Sequence, residues 1–133
     1  VGTLTFTQQL TFIYTTDLAA GSEFLREKIG LKLALNQFDT CHIYEVAPNA
    51  FLGVCTNRPA PPEPGVTISL VTPDVDATYE TLKGRGVEFD APPAYSERFN
   101  VYSAFFRGIE TYRFEIQEFR DPSWPKPVSG DPA

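Results

Sequence analysis

The stretch Leu10–Leu33, LTFIYTTDLAAGSEFLREKIGLKL, decides the fold. Leu10 to Thr15 is rich in β-branched and aromatic residues and predicts a strand. Thr16-Asp17 supplies a helix N-cap. Phe24, Leu25 and Ile29 then fall on one helical stripe, and Gly30 suits the left-handed position that ends a helix. Leu31 to Gln37 predicts a second strand. The same order of parts recurs at Val66–Phe89, VTISLVTPDVDATYETLKGRGVEF. Asp17-Leu18 stands thirteen residues before Gly30-Leu31, and Asp74-Val75 twelve before Gly86-Val87. Two copies of one unit within 133 residues indicate a duplicated module.

Working outward, Cys41–Val46 and Ala50–Cys55 predict a hairpin closed around Pro48-Asn49. In the second copy Val66–Val71 is a strand, and Thr72-Pro73-Asp74 turns into a helix with Val75, Tyr79 and Leu82 at helical spacing. Val87-Glu88-Phe89 starts a short strand stopped by Ala91-Pro92-Pro93. Asn100–Arg107 and Tyr112–Phe119 are two more strands around Gly108-Ile109-Glu110. The order is β-α-β-β-β, linker, β-α-β-β-β, an α+β fold of two tandem modules whose curved mixed sheets surround a cavity. One domain spans residues 1–133: a half-module at 10–57, a stiff linker at 58–65, a half-module at 66–120 and a tail at 121–133. The linker RPAPPEPG holds four of the twelve prolines and reads as a connector; a proline-rich ligand for another protein is the alternative. Leu4 and Phe6 fit a leading strand or an ordered arm. Trp124 is expected to pin the tail, with the last residues mobile.

Composition narrows the function classes. Hydrophobic residues make up 42% of the chain, so a packed core is feasible. Eleven Phe and six Tyr fill a core or line an apolar cavity. A net charge of -6, with no run of basic residues, argues against nucleic acid and anionic membrane as partners. No signal peptide or bilayer-spanning apolar run is visible, which predicts a soluble, cytoplasmic protein. Cys41 and Cys55 are too few for a disulfide framework and are expected to be reduced and buried. If the hairpin turn centres on Pro48-Asn49 they fall nearly opposite, so a cross-strand disulfide is the conditional alternative.

Taken together, the duplicated order, TDLAAGSEFLREKIGLKL, LVTPDVDATYETLKGRGVEF and the closing YRFEIQEF, the chain resembles the vicinal oxygen chelate superfamily of glyoxalases, bleomycin-resistance proteins and extradiol dioxygenases. The resemblance covers roughly residues 10–120. It implies that each half-module curves into a cup, that two cups form the cavity, and that the chain works as a homodimer. It also places the metal ligands of the family's enzymes at Leu10, Gly53, Thr67 (or Val66) and Glu115. Leu and Gly carry no donor and Thr is a poor one, whereas a catalytic divalent ion needs three or four N or O ligands. No metal and no cofactor are therefore expected. The usual Asp-Pro-x-Gly turn before the closing strand is replaced by RGIETY at residues 107–112, which leaves that hairpin's local shape open.

Alternation along strands gives the expected lining. Leu10, Phe12 and Tyr14 share one face, as do Phe51, Gly53 and Cys55, then Thr67, Ser69 and Val71, then Arg113, Glu115 and Gln117. Phe114 and Ile116 face the helix. Arg98 and Tyr102 are placed at the cavity mouth, with a plain surface role for Arg98 as the alternative. Glu115 either pairs with Arg113 or serves as a general base or hydrogen-bond acceptor. His42 lies outside the family's ligand positions and reads as a structural or surface residue. The first reading is metal-independent binding of a small aromatic or hydrophobic molecule. The second is a lyase or dioxygenase-type enzyme using Glu115 with His42, Glu45 or a partner's residues. The third is a partner-binding module whose cavity is filled by Phe side chains.

Overall fold

The computed structural model describes residues 4–127. They divide between residues 60 and 61 into two compact units, each built on one curved mixed sheet.

In the first unit, strand β1 (Gln9–Tyr14) leads into helix α1 (Leu18–Glu23). The Asp17 carboxylate caps α1 by accepting the Ala20 N–H at 3.0 Å. A π-helical segment, Phe24–Ile29, continues the helix to Gly30, which sits at φ 84° where only glycine is comfortable. Strands β2 (Lys32–Gln37), β3 (Cys41–Ala47) and β4 (Ala50–Cys55) follow, in the sheet order β1-β4-β3-β2. Strand β1 runs parallel to β4, and the other pairs are antiparallel. The β3–β4 hairpin turns at Asn49 (φ 65°), as the Pro48-Asn49 signal predicts. The helix covers the face bearing Ile13, Leu52, Val54 and Tyr44, all buried with Leu25. Each such side chain contributes roughly 1.5–3 kcal/mol by leaving water.

In the second unit, strand β5 (Thr67–Val71) leads into helix α2 (Val75–Gly84), capped by Asp74 on the Ala77 N–H at 3.0 Å. Strands β6 (Glu88–Phe89), β7 (Ala94–Ser96), β8 (Val101–Arg107) and β9 (Arg113–Phe119) follow. The path is β5-β9-β8-β6, with β7 paired to β8. Helix α2 lies on β8 and β9 over Ala104, Phe106, Phe114 and Ile116. Tyr79, Phe89, Phe106 and Phe114 form an aromatic chain with successive centroids 4.7, 5.1 and 5.4 Å apart.

The duplication holds at the level of register. Tyr14 pairs with Cys55, and the Thr15 N–H donates to the Cys55 carbonyl at 2.9 Å. Val71 pairs with Gln117 in the same way, and the Thr72 N–H donates to the Gln117 carbonyl at 2.9 Å. Position 55 thus corresponds to 117, and position 41, opposite 55, to 103, opposite 117. The extra residue between Asp17 and Gly30 is absorbed by the π-helical segment, where the Gly30 N–H donates five residues back to the Leu25 carbonyl.

Several expectations are corrected. Cys41 and Cys55 are not free thiols: they are directly opposite across β3 and β4 and form a disulfide, with Cα atoms 4.1 Å apart. The antiparallel register outweighs the argument from cysteine scarcity. Leu4 and Phe6 form no strand and are exposed. Strand β7, masked by the prolines at 92 and 93, adds a strand to the second unit. The turn before β9 is made by Glu110 at φ 50° and anchored by the buried Ile109 side chain. Residues 58–65 have no regular secondary structure, and the Thr111 hydroxyl donates to the Pro62 carbonyl at 3.1 Å. Trp124 stacks on Phe119, centroids 3.7 Å apart. The expected mobile end falls at residues 128–133, outside the described residues.

Candidate functional site

Each sheet has one face under its helix and one turned away from it; on the first sheet Cys41, Ile43 and Cys55 of that second face are buried. On the first sheet the register brings Leu10, Phe12 and Tyr14 of β1, Phe51, Gly53 and Cys55 of β4, and Cys41, Ile43 and Glu45 of β3 to the open side. All six lining residues expected from these two strands therefore share a face. Leu10 and Phe12 are 39% and 40% exposed, unusual for such side chains in mid-sheet. The Phe12 ring lies over Gly53. A Cβ at Gly53 would stand 2.7 Å from Phe12 Cδ1 and 2.9 Å from Cε1, so no larger residue fits without moving the ring.

On the second sheet, Thr67, Ser69 and Val71 of β5 stand beside Arg113, Glu115 and Gln117 of β9, with Ser103 and Phe105 of β8 beyond them. Phe114 and Ile116 point to α2, as alternation requires. The Gln117 side chain donates to Ser69 Oγ and, at 2.9 Å, to Glu115 Oε1, so both its N–H groups are used along the sheet. The Glu115–Arg113 ion pair does not form among the described residues. The Arg113 guanidinium lies over the Phe105 ring, 3.8 Å from its centroid, held by the ring's negative face. Glu115 is half-buried and accepts from the Gln117 amide.

Two expected residues fall elsewhere. Tyr102 is opposite Glu118 and shares its face with Ala104 and Phe106. Its hydroxyl donates to Asp76 of α2 at 2.6 Å, so it belongs to the helix side, one residue out of step with the lining. Asp76 raises the Tyr102 pKa by accepting this bond, with desolvation adding to the shift. Arg98 lies in the turn between β7 and β8, exposed, 5.1 Å from the Phe99 ring centroid, and no strand carries it to the open face. Alternation also points to something unforeseen. Ser103 and Phe105 line a cleft of about 230 Å³ with Asp90, Ala94 and Tyr95, walled by the segment that contains β7.

His42 is a structural residue. It pairs with Val54 on the helix side, and its Nδ1 lies 2.7 Å from the buried Ser22 hydroxyl, which also bonds to the Tyr44 hydroxyl. Among the described residues His42 Nε2 is buried without a partner.

The donor set at the family's ligand positions does not fit a divalent ion. Leu10 and Gly53 offer no donor, and Phe12 occupies the space into which a ligand at position 53 would project. Thr67 offers a hydroxyl, and Glu115 a carboxylate already accepting from Gln117. Among the described residues no three His, Cys, Asp or Glu side chains converge.

Two tandem units on one βαβββ plan, the second with β7 added, each with its helix on one sheet face, define a duplicated α+β protein. The chain belongs to the Glyoxalase/Bleomycin resistance protein/Dioxygenase superfamily, whose sequence model matches residues 7–123. It is similar to a glyoxalase/bleomycin resistance protein/dioxygenase from Nocardioides, at 25% identity and a TM-score of 0.70 over 97% of this chain and 93% of that one. Lactoylglutathione lyase from Agrobacterium tumefaciens shares the fold at 15% identity and a TM-score of 0.72, covering 87% and 96%. A superfamily member from Sphaerobacter thermophilus does so at 21% identity and a TM-score of 0.68, covering 86% and 98%. No curated protein matches the sequence. Among the described residues no helix is long and apolar enough to cross a membrane.

Proposed function

We propose that this chain binds a small aromatic or hydrophobic molecule without a metal ion, using the face of its first sheet that is turned away from α1. The observation that carries this reading is the Phe12 ring over Gly53. It puts an exposed apolar surface where a metal enzyme of the superfamily needs a coordinating side chain. Leu10 and Phe51 extend that surface, and Tyr14 and Glu45 bring polar groups to the same face of the first sheet. Apolar walls with a few fixed polar groups are the usual composition of a small-molecule site.

The test is thermal unfolding of metal-stripped protein against a panel of aromatic compounds. A ligand at a hundredfold excess over its Kd stabilises the folded state by about 2.7 kcal/mol. The reading requires a rise in midpoint in the presence of chelator, reduced in Phe12→Ala. A panel without effect, or a rise that appears only with added divalent ion, would overturn it.

A second reading, a lyase or dioxygenase-type enzyme, has one observation in its favour. Glu115 is a half-buried carboxylate that accepts a hydrogen bond from the Gln117 amide. Its mark would be turnover lost in Glu115→Gln. We further infer a homodimer, since the edge strand β2 exposes Leu33 and Leu35 at 39% and 52%; light scattering that gives a monomer mass would remove it. With Cys41 and Cys55 bonded, the thiol argument for a cytoplasmic location falls away, and the proposal is tied to no compartment.

A further inference from the structure

The edge of the second sheet is broken at one place. Phe89 pairs with Phe106 and Ala94 with Ser103, so residues 90–93 stand opposite only residues 104 and 105 of β8. Pro92 and Pro93 have no N–H to give a ladder, and the pairing stops between β6 and β7. The cleft of about 230 Å³ opens at this gap, with Asp90, Ala91, Pro92, Ala94, Ser103 and Phe105 in its walls. The first unit is built differently. There a single residue, Ala34, is extra between Leu33 and Leu35, and β2 runs on unbroken. Cys41, at the position of Ser103, is bonded to Cys55.

Ser103 is 9% exposed, and among the described residues its hydroxyl has no hydrogen-bond partner. Gln117, directly opposite on β9, spends its amide on Ser69 and Glu115. The other polar side chains of the cleft are satisfied or solvated. The Tyr95 hydroxyl donates to Asn100 Oδ1 at 2.6 Å, Ser96 Oγ accepts the Phe99 N–H at 3.3 Å, and Asp90 is exposed. A buried hydroxyl is normally paired, so Ser103 has its bonding capacity left for a partner from outside the chain. Size narrows that partner. A dry cavity of ~150 Å³ admits benzene, and pockets for drug-sized molecules begin at ~300 Å³. A cleft of about 230 Å³ takes one ring with one small substituent.

We infer that the cleft between β6 and β7 is a binding site for a single-ring phenol, its ring against Phe105, Pro92 and Ala94 and its hydroxyl on Ser103 Oγ. Ser103 is neutral and can both donate and accept, which matches a hydroxyl. Asp90 in the wall and the net charge of -6 disfavour a carboxylate in the same place. The site lies within the second unit and does not rest on the apolar face at Phe12.

The experiment is an amide-resolved NMR titration of the full chain with phenol and, separately, benzene. Both should give saturable shifts centred on Ala91, Ala94, Ser103 and Phe105. Ser103→Ala should weaken phenol about three- to tenfold, the loss of one neutral hydrogen bond, and leave benzene unchanged. Ala94→Leu, which sets a larger side chain directly opposite Ser103, should abolish the shifts with both, the fold being verified by the unchanged remainder of the spectrum. No saturable shift at the cleft would overturn the inference, as would equal effects of Ser103→Ala on the two compounds. Shifts confined to Leu10, Phe12 and Gly53 would overturn it too, while leaving the reading of the first sheet standing.

Discussion

The Phe12 ring lies over the bare Cα of Gly53 on the neighbouring parallel strand, so close that a Cβ there would stand 2.7 Å from Cδ1. This contact lets an aromatic ring lie flat along an open sheet face instead of standing off it. Because Phe12 is 40% exposed, its ring has somewhere to go. Gly53→Ala is therefore expected to fold, at a cost of about 1–3 kcal/mol for the displaced ring. In Phe12→Ala the same substitution should cost far less. A double-mutant cycle by chemical denaturation measures the coupling, and additive effects would show that the ring does not set the space at Gly53.

The Cys41–Cys55 bond joins directly opposed residues fourteen apart in sequence. Its contribution acts mainly on the unfolded chain, where a loop of this length is worth up to about 3 kcal/mol. Reduction should lower the denaturant midpoint with the native β3–β4 pairing retained, and Cys41→Ala/Cys55→Ala should match the reduced protein. Equal midpoints with and without reductant would contradict this.

The architecture was legible because duplication and alternation are both periodic signals. Asp17 and Asp74 marked the helix starts, and the parity of β9 put Glu115 and Gln117 on one side and Phe114 and Ile116 on the other. Features without periodicity were not legible. The odd thirteenth residue before Gly30 could have been a loop insertion, and only the bond from Gly30 to Leu25 shows it to be a π turn inside the helix. Tyr102 lies within the expected strand Asn100–Arg107, whose parity nothing in the sequence anchors; its pairing opposite Glu118 turns it to α2.

The buried Ser22 hydroxyl serves both Tyr44 and His42 Nδ1. At the corresponding places the second unit has Tyr79, Phe106 and Ala104, a solution with no polar network. Ser22→Ala would take the Ser22 partner from His42 Nδ1, while the Tyr44 hydroxyl keeps the residue-22 carbonyl at 3.2 Å. The expected loss is about 1–3 kcal/mol, the cost of stranding a buried polar group. Equilibrium unfolding checks it, and Ser22→Thr, which keeps the hydroxyl, should fall between the two.

The Tyr102 hydroxyl donates to Asp76 and its pKa is raised, first by that bond and then by desolvation. A group held protonated in the folded state contributes stability that is fully present below its unfolded pKa, about 10 for tyrosine. That contribution is lost as the pH climbs through the higher folded value. Ionisation also turns the donor into an anion facing a carboxylate. The melting temperature of the native chain should therefore fall between pH 9 and pH 11 more steeply than that of Tyr102→Phe, in which the bond is absent at every pH. Parallel slopes for the two proteins would show that the bond between β8 and α2 carries no alkaline sensitivity.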